Sequence, residues 1–181
     1  MSSHACSAPC RAAPTNEFIF LNIWRIATES RSHAANDISG AGAALHPGRW
    51  NRDGERVVYC AQSLSLAALE TTAYVDTNGL PLNRFVVEID VPEPVWNARM
   101  QLTSSDLDPA WDAVPAGIAS IQAGSRWLMQ ASSALLLVPS VVVPEECAVL
   151  INPVHADARK LVATTRRRFD YFNIFRTESR Q

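Results

Sequence analysis

The feature that most constrains the fold is a pair of apolar runs near the C-terminus, one directly after the other. The first, ALLLVPSVVVP, covers Ala134 to Pro144, and the second, AVLINP, covers Ala148 to Pro153. Nearly continuous apolar sequence is typical of strands that are buried on both faces. The longer run cannot cross a bilayer as a helix, since that takes about 20 apolar residues. We therefore predict two buried strands, divided by Glu145 and Glu146.

The rest of the chain indicates a mixed α/β fold in one domain. Further apolar or alternating runs predict three more strands, and Ser63 suits the N-cap position of a helix. The polar segment between the first two of these strands, Thr28–Asn51, is long for a loop, and loops of that length are often functional or disordered. The predicted strands are Phe18–Ile26, Arg56–Ala61 and Arg84–Val91, and the predicted helices run from Leu64 to about Asp76 and from Ile118 to Ala131.

Composition and charge narrow the classes of function. Hydrophobic residues make up 48% of the chain and charged residues 19%, as in globular proteins. The net charge of −2 gives no general attraction to nucleic acid or to a membrane surface, so neither is expected as a direct partner. Residues 1–17 lack the apolar core of a signal peptide and are interpreted as a disordered leader. We therefore expect a cytoplasmic protein.

The four cysteines and four histidines predict no metal site. Cys6 and Cys10 lie in the leader, whereas Cys60 and Cys147 lie in apolar runs. A chain of this size can form its core without disulfides, so free thiols in a reducing compartment are expected. The histidines have no zinc-type spacing to one another or to cysteine. The sequence also lacks the motifs of phosphate-binding loops, zinc proteases and α/β-hydrolases.

Five side chains have both a structural and a functional interpretation. Arg25 ends a strand, where its side chain either reaches water or binds an anion. Arg49 follows a Pro-Gly turn, where it is either an ordinary solvated loop residue or a binding residue. Tyr59 lies in an apolar strand, where a core tyrosine is the default. Glu70 lies in mid-helix, on a face that is neither clearly polar nor clearly apolar. Ser140 interrupts an apolar run, so its hydroxyl needs a partner.

Together these side chains suit the cleavage of NAD⁺. One or two arginines can neutralise a pyrophosphate, and the rings of Trp50 and Tyr59 can stack on a flat heterocycle. Departure of nicotinamide passes through an oxocarbenium-like state, so a fixed carboxylate nearby would lower the barrier electrostatically. The residues allow this chemistry, and each of them also has its structural explanation.

Three stretches of the sequence resemble the RES domain family, which is named for an arginine, a glutamate and a serine. They are Trp24-Arg25, GRWNRDGERVVYCAQSLSLAALE from Gly48 to Glu70, and LLLVPSVVVPEECAVLINPVHADA from Leu135 to Ala158. The resemblance covers about Phe18 to Ala163. It implies a small single domain with a mixed split β-sheet and flanking helices, similar to ADP-ribosyltransferase toxins. We place this domain at residues 18–176, with a tail at residues 177–181.

The resemblance implies a toxin that takes NAD⁺ as its substrate and needs no metal. Some members degrade NAD⁺ by hydrolysis or phosphorolysis and others transfer ADP-ribose to a host protein, and both activities remain open. Glu70 would stabilise the ribose cation, Tyr59 would orient the nicotinamide, and Ser140 would hold the ribose or orient Glu70. Arg49 is the first choice for binding the phosphates, and Arg25 is the second.

The partner that the resemblance implies is an Xre-type helix-turn-helix antitoxin whose C-terminal domain covers the cleft. The basic run TTRRRFDYFNIF, from Thr164 to Phe175, is interpreted as a solvated strand end, with contact to an acidic antitoxin surface as the alternative. Two other classes of function are the alternatives. One is a catalytically inactive binding module of the same fold, and the other is a nucleic-acid enzyme, which the near-neutral charge disfavours.

Overall fold

A computed structural model describes residues 20–31, 33–72 and 83–174, and a seven-stranded sheet lies at its centre. The strands are β1 (Phe20–Ala27), β2 (Val58–Ala61), β3 (Phe85–Pro92), β4 (Met100–Gln101), β5 (Leu135–Pro139), β6 (Cys147–Ile151) and β7 (Val162–Arg168). They pair in the order β4-β5-β6-β2-β1-β3-β7. Only β4 and β5 are parallel among these pairs, so the sheet is mixed, as predicted.

Four α-helices lie among the described residues: α1 (Ala41–Leu45), α2 (Leu64–Thr72), α3 (Glu93–Asn97) and α4 (Ile118–Gln130). The predicted start of α2 is confirmed, because the backbone N–H of Leu66 donates to Ser63 Oγ at 3.1 Å, as in an N-cap. The predicted α4 is confirmed as well. It ends before Ala131, whose φ of 45° places it in the left-handed conformation that closes many helices.

The sheet has two halves that meet between β1 and β2. These strands share one paired position, Trp24 with Ala61, whereas β1 and β3 pair along eight residues. Side chains alternate along a strand, so Trp24, Tyr59 and Ala61 point to one face of the sheet, and Arg25 and Cys60 point to the other. We call the side of Arg25 and Cys60 the first face and the side of Trp24 and Tyr59 the second face.

Apolar layers cover both faces. The largest cluster of buried residues lies on the first face, where strand residues pack with Val95 of α3 and with Leu161. The second face is covered by two different helices. Trp127 of α4 packs over β5 and β6, whereas Leu66 of α2 packs over the ends of β1 and β2 with Tyr171. The near-continuous apolar strands in the middle of the sheet are therefore buried on both sides, as predicted.

Two predictions about local structure were wrong. The apolar run from Ala134 does not continue as a strand to Pro144, because β5 ends at Pro139 and the backbone N–H of Ser140 turns to donate to Glu146 O at 3.0 Å. The segment Thr28–Asn51 is not all loop, since it contains the short helix α1. Strands β4 and β7 and helix α3 were not predicted, because they are short or carry few apolar residues.

Strand β7 lies at the edge of the sheet, where Thr165 to Arg168 are exposed. Its Arg166 forms an ion pair with the buried Glu88 of β3. This agrees with the interpretation of the basic run as a solvated strand end. The predicted leader 1–17, the tail 177–181 and the predicted helix end near Asp76 lie outside the described residues. No helix within residues 20–31, 33–72 and 83–174 is long and apolar enough to cross a membrane.

Candidate active site

The side chains of Ser140 and Glu70 meet where β5 ends, although 70 positions separate them in the chain. Ser140 Oγ donates to Glu70 Oε1 at 2.6 Å, and it accepts the backbone N–H groups of Val142 and Val143 at 3.1 and 3.0 Å. A hydroxyl has one proton and two lone pairs. Because both lone pairs of the Ser140 hydroxyl are used, its proton is directed at the carboxylate.

Glu70 is half-buried on α2, while Ser140 is only 1% exposed. Within the part of the chain that the structure describes, Glu70 Oε2 has no hydrogen-bond partner. The bond from Ser140 is short, as expected when a hydroxyl donates to a charged oxygen. The carboxylate is thus fixed through one oxygen, and the other remains open to a ligand.

The Tyr59 side chain lies on the second face and holds the loop that precedes β2. Its hydroxyl donates to Asn51 Oδ1 at 2.8 Å and accepts the backbone N–H of Trp50 at 2.9 Å. Gly48 passes so close that a Cβ added there would lie 2.7 Å from the tyrosine oxygen. The contact between loop and ring therefore depends on glycine at position 48. We call residues 48–51 the arginine loop, because it carries Arg49.

Asn51 is a site residue that sequence reasoning missed. It is fully buried, and its Nδ2 donates to the carbonyls of Ala43, Arg52 and Glu55 at 2.9, 3.0 and 3.0 Å. Its Oδ1 accepts the N–H of Gly48 at 2.9 Å as well as the Tyr59 hydroxyl. Asparagine is common in turns, so position 51 alone did not distinguish this role. The side chain sets the shape of the arginine loop.

Arg49 and Trp50 contact the segment before α4. Arg49 Nη1 donates to the carbonyls of Trp111 and Ala113, both at 2.9 Å. The indole of Trp50 is 3% exposed and stacks on that of Trp111, with 6.1 Å between the ring centroids and 23° between the planes. Trp50 is thus part of the core in this arrangement. Arg49 is half-buried and uses one of its two terminal nitrogens in these bonds, and the other terminal nitrogen has no hydrogen-bond partner in the described ranges.

Arg25 is not brought together with the other candidates. It points to the first face of the sheet, where its Nη1 donates to the carbonyl of Asp37 at 3.0 Å. Its neighbour on that face is Cys60, a free thiol whose burial raises its pKa to about 12, although the positive charge of Arg25 acts in the opposite direction. Cys147 is free as well, and burial also raises the pKa of its thiol.

The two bonded groups, Ser140 with Glu70 and Tyr59 with the arginine loop, share the second face. Tyr59 and Ala61 point the same way from β2, and Ala61 packs against Leu66 of α2. Glu70 follows Leu66 by four residues, which places both on the same side of the helix. The second face thus presents a fixed carboxylate at one end and an arginine with an aromatic ring at the other, an arrangement that can bind a molecule with phosphates and a developing cation.

Cavities elsewhere do not include these side chains. One of about 450 Å³ lies between the N-terminal turns of α4 and the segment before it, and Ala113 and Arg126 are among its lining residues. Another of about 290 Å³ is lined in part by Arg56 and Arg159. No group of three or more histidine, cysteine or acidic side chains that could hold a metal ion occurs within the described ranges.

Comparisons with known proteins agree on one family. The sequence model of the RES domain matches residues 22–171. The chain is 49% identical over 150 residues to "Prs ADP-ribosylating toxin" of Sphingobium sp. (strain YBL2), covering 83% of this chain and 93% of that protein. It is 36% identical over 129 residues to "Toxin Res" of Photorhabdus laumondii, covering 71% and 81%.

The fold also matches a solved structure, described as the crystal structure of the MbcT–MbcA toxin–antitoxin complex of M. tuberculosis. The TM-score is 0.54 at 16% sequence identity, with 83% of this chain and 86% of that chain covered. At that identity the likeness concerns the fold, an α+β domain around a mixed sheet. The match to the family model and the identity to the two relatives show that the chain belongs to the RES domain family and is a toxin.

Proposed function

We propose that this toxin cleaves the bond between nicotinamide and ribose in NAD⁺ and transfers the ADP-ribose to a protein. The observation that carries the proposal is the Glu70 carboxylate, which the Ser140 hydroxyl holds at 2.6 Å while the second oxygen stays open. A negative charge fixed in advance stabilises a cation that develops in the transition state without having to reorganise. This favours a reaction that passes through an oxocarbenium ion.

In the proposed reaction the glycosidic bond breaks first, and its electron pair leaves with neutral nicotinamide. Glu70 Oε2 faces the nicotinamide ribose and stabilises the positive charge that remains on C1′ and the ring oxygen. A nucleophilic side chain of the acceptor protein then bonds to C1′ and releases its proton to solvent. Ser140 orients the carboxylate throughout.

The arginine loop would bind the rest of the dinucleotide. One terminal nitrogen of Arg49 has no partner among the described residues and is available for a phosphate oxygen, and the bonds to Trp111 and Ala113 hold the guanidinium in one place. Tyr59 would orient the nicotinamide side with its ring, while its hydroxyl stays on Asn51. Trp50 is buried in the core and supports the arginine loop from there. Arg25 is the second candidate for binding the phosphates, because it points to the opposite face of the sheet.

The relative that is 49% identical is named "Prs ADP-ribosylating toxin", and this favours transfer over degradation of NAD⁺. Prs is accordingly the first acceptor to test. Hydrolysis and phosphorolysis need the same departure of nicotinamide and differ only in the nucleophile, so they are the competing outcomes. The catalytically inactive binding module is the outcome in which no nicotinamide is released.

An antitoxin is the proposed partner. The relatives named as toxins and the toxin–antitoxin complex with the same fold support such a partner. The Xre type of that antitoxin rests on the family resemblance. An antitoxin that covers the second face would block access to Glu70, so the free toxin is the form to assay.

The test is incubation of the purified toxin with NAD⁺ labelled in the adenosine part, together with purified Prs or a cell lysate. Label on a protein band is expected, together with one equivalent of nicotinamide. Glu70→Gln keeps an oxygen that can accept from Ser140 but removes the charge, so we expect the rate to fall on the order of 10²-fold. Glu145→Gln makes the same change on an exposed glutamate and serves as the matched control.

The outcomes separate the alternatives. Free ADP-ribose or its phosphate, with no labelled protein, would show that the toxin degrades NAD⁺ and does not transfer ADP-ribose. If folded Glu70→Gln releases nicotinamide as fast as Glu145→Gln, the role proposed for the carboxylate is wrong.

A further inference from the structure

The loop that carries Ser140 is closed by its own backbone. It joins β5 to β6, whose end residues Pro139 and Cys147 pair with each other. Inside the loop, the N–H of Ser140 donates to Glu146 O at 3.0 Å, and the N–H of Glu146 donates to Val143 O at 2.9 Å. We call residues 140–146 the serine loop. Because Ser140 and Glu146 are bonded through their backbones, a shift of one displaces the other.

The serine loop is attached to α2 at a second point, on the side chain of Glu146. Ser63 Oγ donates to Glu146 Oε2 at 2.9 Å. The same Ser63 oxygen caps α2 by accepting the N–H of Leu66. Glu146 is half-buried, whereas its neighbour Glu145 is exposed. The neighbouring glutamates thus have different environments, and only Glu146 has a described contact with the helix that carries Glu70.

The two attachments lie on one side of α2. Ser63 and Glu70 are seven residues apart, which is close to two helical turns and about 10 Å along the axis. The bonds are reciprocal, since a serine of the helix region donates to a glutamate of the loop, and a serine of the loop donates to a glutamate of the helix. Two hydrogen bonds to the region of α2 restrict the loop more than one does, so we expect the position of Ser140 relative to Glu70 to depend on both bonds.

We propose that Glu146 is a positioning residue for the reaction, which acts through Ser63 and the serine loop to hold the Ser140 hydroxyl on Glu70. The inference rests on the proposed function of Glu70. Glu146 does not touch the substrate. Its carboxylate fixes the loop against the N-terminus of α2, so that the open oxygen of Glu70 keeps one orientation toward the ribose.

The first test compares Glu146→Ala, Glu146→Gln and Glu145→Ala by nicotinamide release from NAD⁺ in the presence of Prs, a readout shared by transfer and hydrolysis. Small displacements of a catalytic group are costly, so Glu146→Ala is expected to lower kcat on the order of tenfold. Its KM for NAD⁺ should stay within about twofold, because the affected interaction belongs to the transition state. Glu146→Gln still offers an oxygen to Ser63 and should recover most of the loss, while Glu145→Ala should match the native chain.

Ser63→Gly removes the same hydrogen bond from the other side. Glycine is well tolerated at the N-cap position, so α2 should stay folded. If Glu146 acts through this bond, Ser63→Gly lowers kcat to the same extent as Glu146→Ala, and the double variant is no slower than either. This variant also keeps the test decisive if Glu146→Ala does not fold.

A background that lacks Glu70 separates the inference from the proposed function. In folded Glu70→Gln, the further change Ser63→Gly should leave the residual rate unchanged, because the group being positioned has lost its charge. If Glu70→Gln itself is fully active, the proposed function fails. If Glu70→Gln is slow but Glu146→Ala and Ser63→Gly keep the native kcat, or if they lower the rate equally in both backgrounds, the positioning role of Glu146 is wrong.

Discussion

Replacing Asn51 by aspartate exchanges an amide for a carboxyl group of the same shape at the centre of the arginine loop. The oxygen that accepts from Gly48 and Tyr59 is kept. The nitrogen that donates to three carbonyl groups is lost, and an oxygen takes its place. The variant therefore tests whether the donor side of Asn51 holds this part of the site.

The expected cost follows from the two N–H groups of the amide, which the three carbonyl oxygens share. Each hydrogen bond contributes about 1 kcal/mol net, and a buried carbonyl left without a donor adds to the loss. Asn51 is fully buried, so we expect the free energy of unfolding to fall by about 3 to 5 kcal/mol. For a chain of this length, that corresponds to a melting temperature lower by roughly 10 °C.

The cost should depend on pH, because the new carboxyl faces carbonyl oxygens in a buried place. Its ionised form is disfavoured there, so its pKa in the folded protein is raised above the unfolded value of about 4. Stability that depends on the protonated form is present below that value and is lost as the pH rises. The deficit against the native chain should therefore grow between about pH 4 and pH 8.

Thermal and urea unfolding at several pH values measure this effect, and KM for NAD⁺ reports on the arginine loop. Asn97→Asp is the matched control, because Asn97 is exposed at the end of α3 and has no described side-chain hydrogen bond. The control should lie within about 0.5 kcal/mol of the native chain. If Asn51→Asp melts together with the control at pH 7.5, the hydrogen bonds of Asn51 do not carry the stability assigned to them.

Two further predictions concern Arg49, Arg25 and Cys60. Arg49→Ala should raise KM for NAD⁺ about tenfold or more, which is the loss expected for one charge-assisted hydrogen bond. Folded Arg25→Ala should change KM less than twofold. If initial rates give the opposite order, the phosphates bind on the first face. With a pKa of about 12, only about one Cys60 thiol in 10⁴ is ionised at pH 8, so iodoacetamide should label it slowly until urea unfolds the chain. Since the folded pKa is raised above the ordinary 9.0, this thiol's contribution to stability is present below pH 9 and is lost as the pH rises toward 12. Fast labelling of the native protein, read by peptide mass spectrometry, would contradict the burial of Cys60.

Local sequence predicted the elements whose formation depends on near neighbours. The apolar run that begins at Ala134 marked β5 because a strand buried on both faces leaves a continuous signal. Ser63 marked the start of α2 because a cap is made within three residues. The predicted end of β5 was wrong, since the Ser140 backbone turns to bond with Glu146 and its hydroxyl accepts the N–H of Val143. The apolar character of the run does not reveal these bonds.

The sequence predicted which residues are candidates for the site, but it did not predict which of them bond to each other. Ser140 was a candidate because a hydroxyl within an apolar run needs a hydrogen bond. Glu70 was a candidate because its helix face is neither clearly polar nor clearly apolar. That each is the partner of the other depends on how α2 lies beside the end of β5. Asn51 was missed because four of its five hydrogen bonds are to backbone groups, which every sequence contains.

The sequence by itself determined the fold class, the buried strands, the start of α2 and, through family motifs, the membership that the comparisons confirm. Only the tertiary structure decided which arginine shares a face with Tyr59. Strand alternation makes Arg25 and Trp24 point to opposite sides, and the pairing of Trp24 with Ala61 assigns those sides. The physical reason is that sheet register and hydrogen bonds between distant residues depend on the packing of the whole chain, whereas strand and helix signals arise within a few residues.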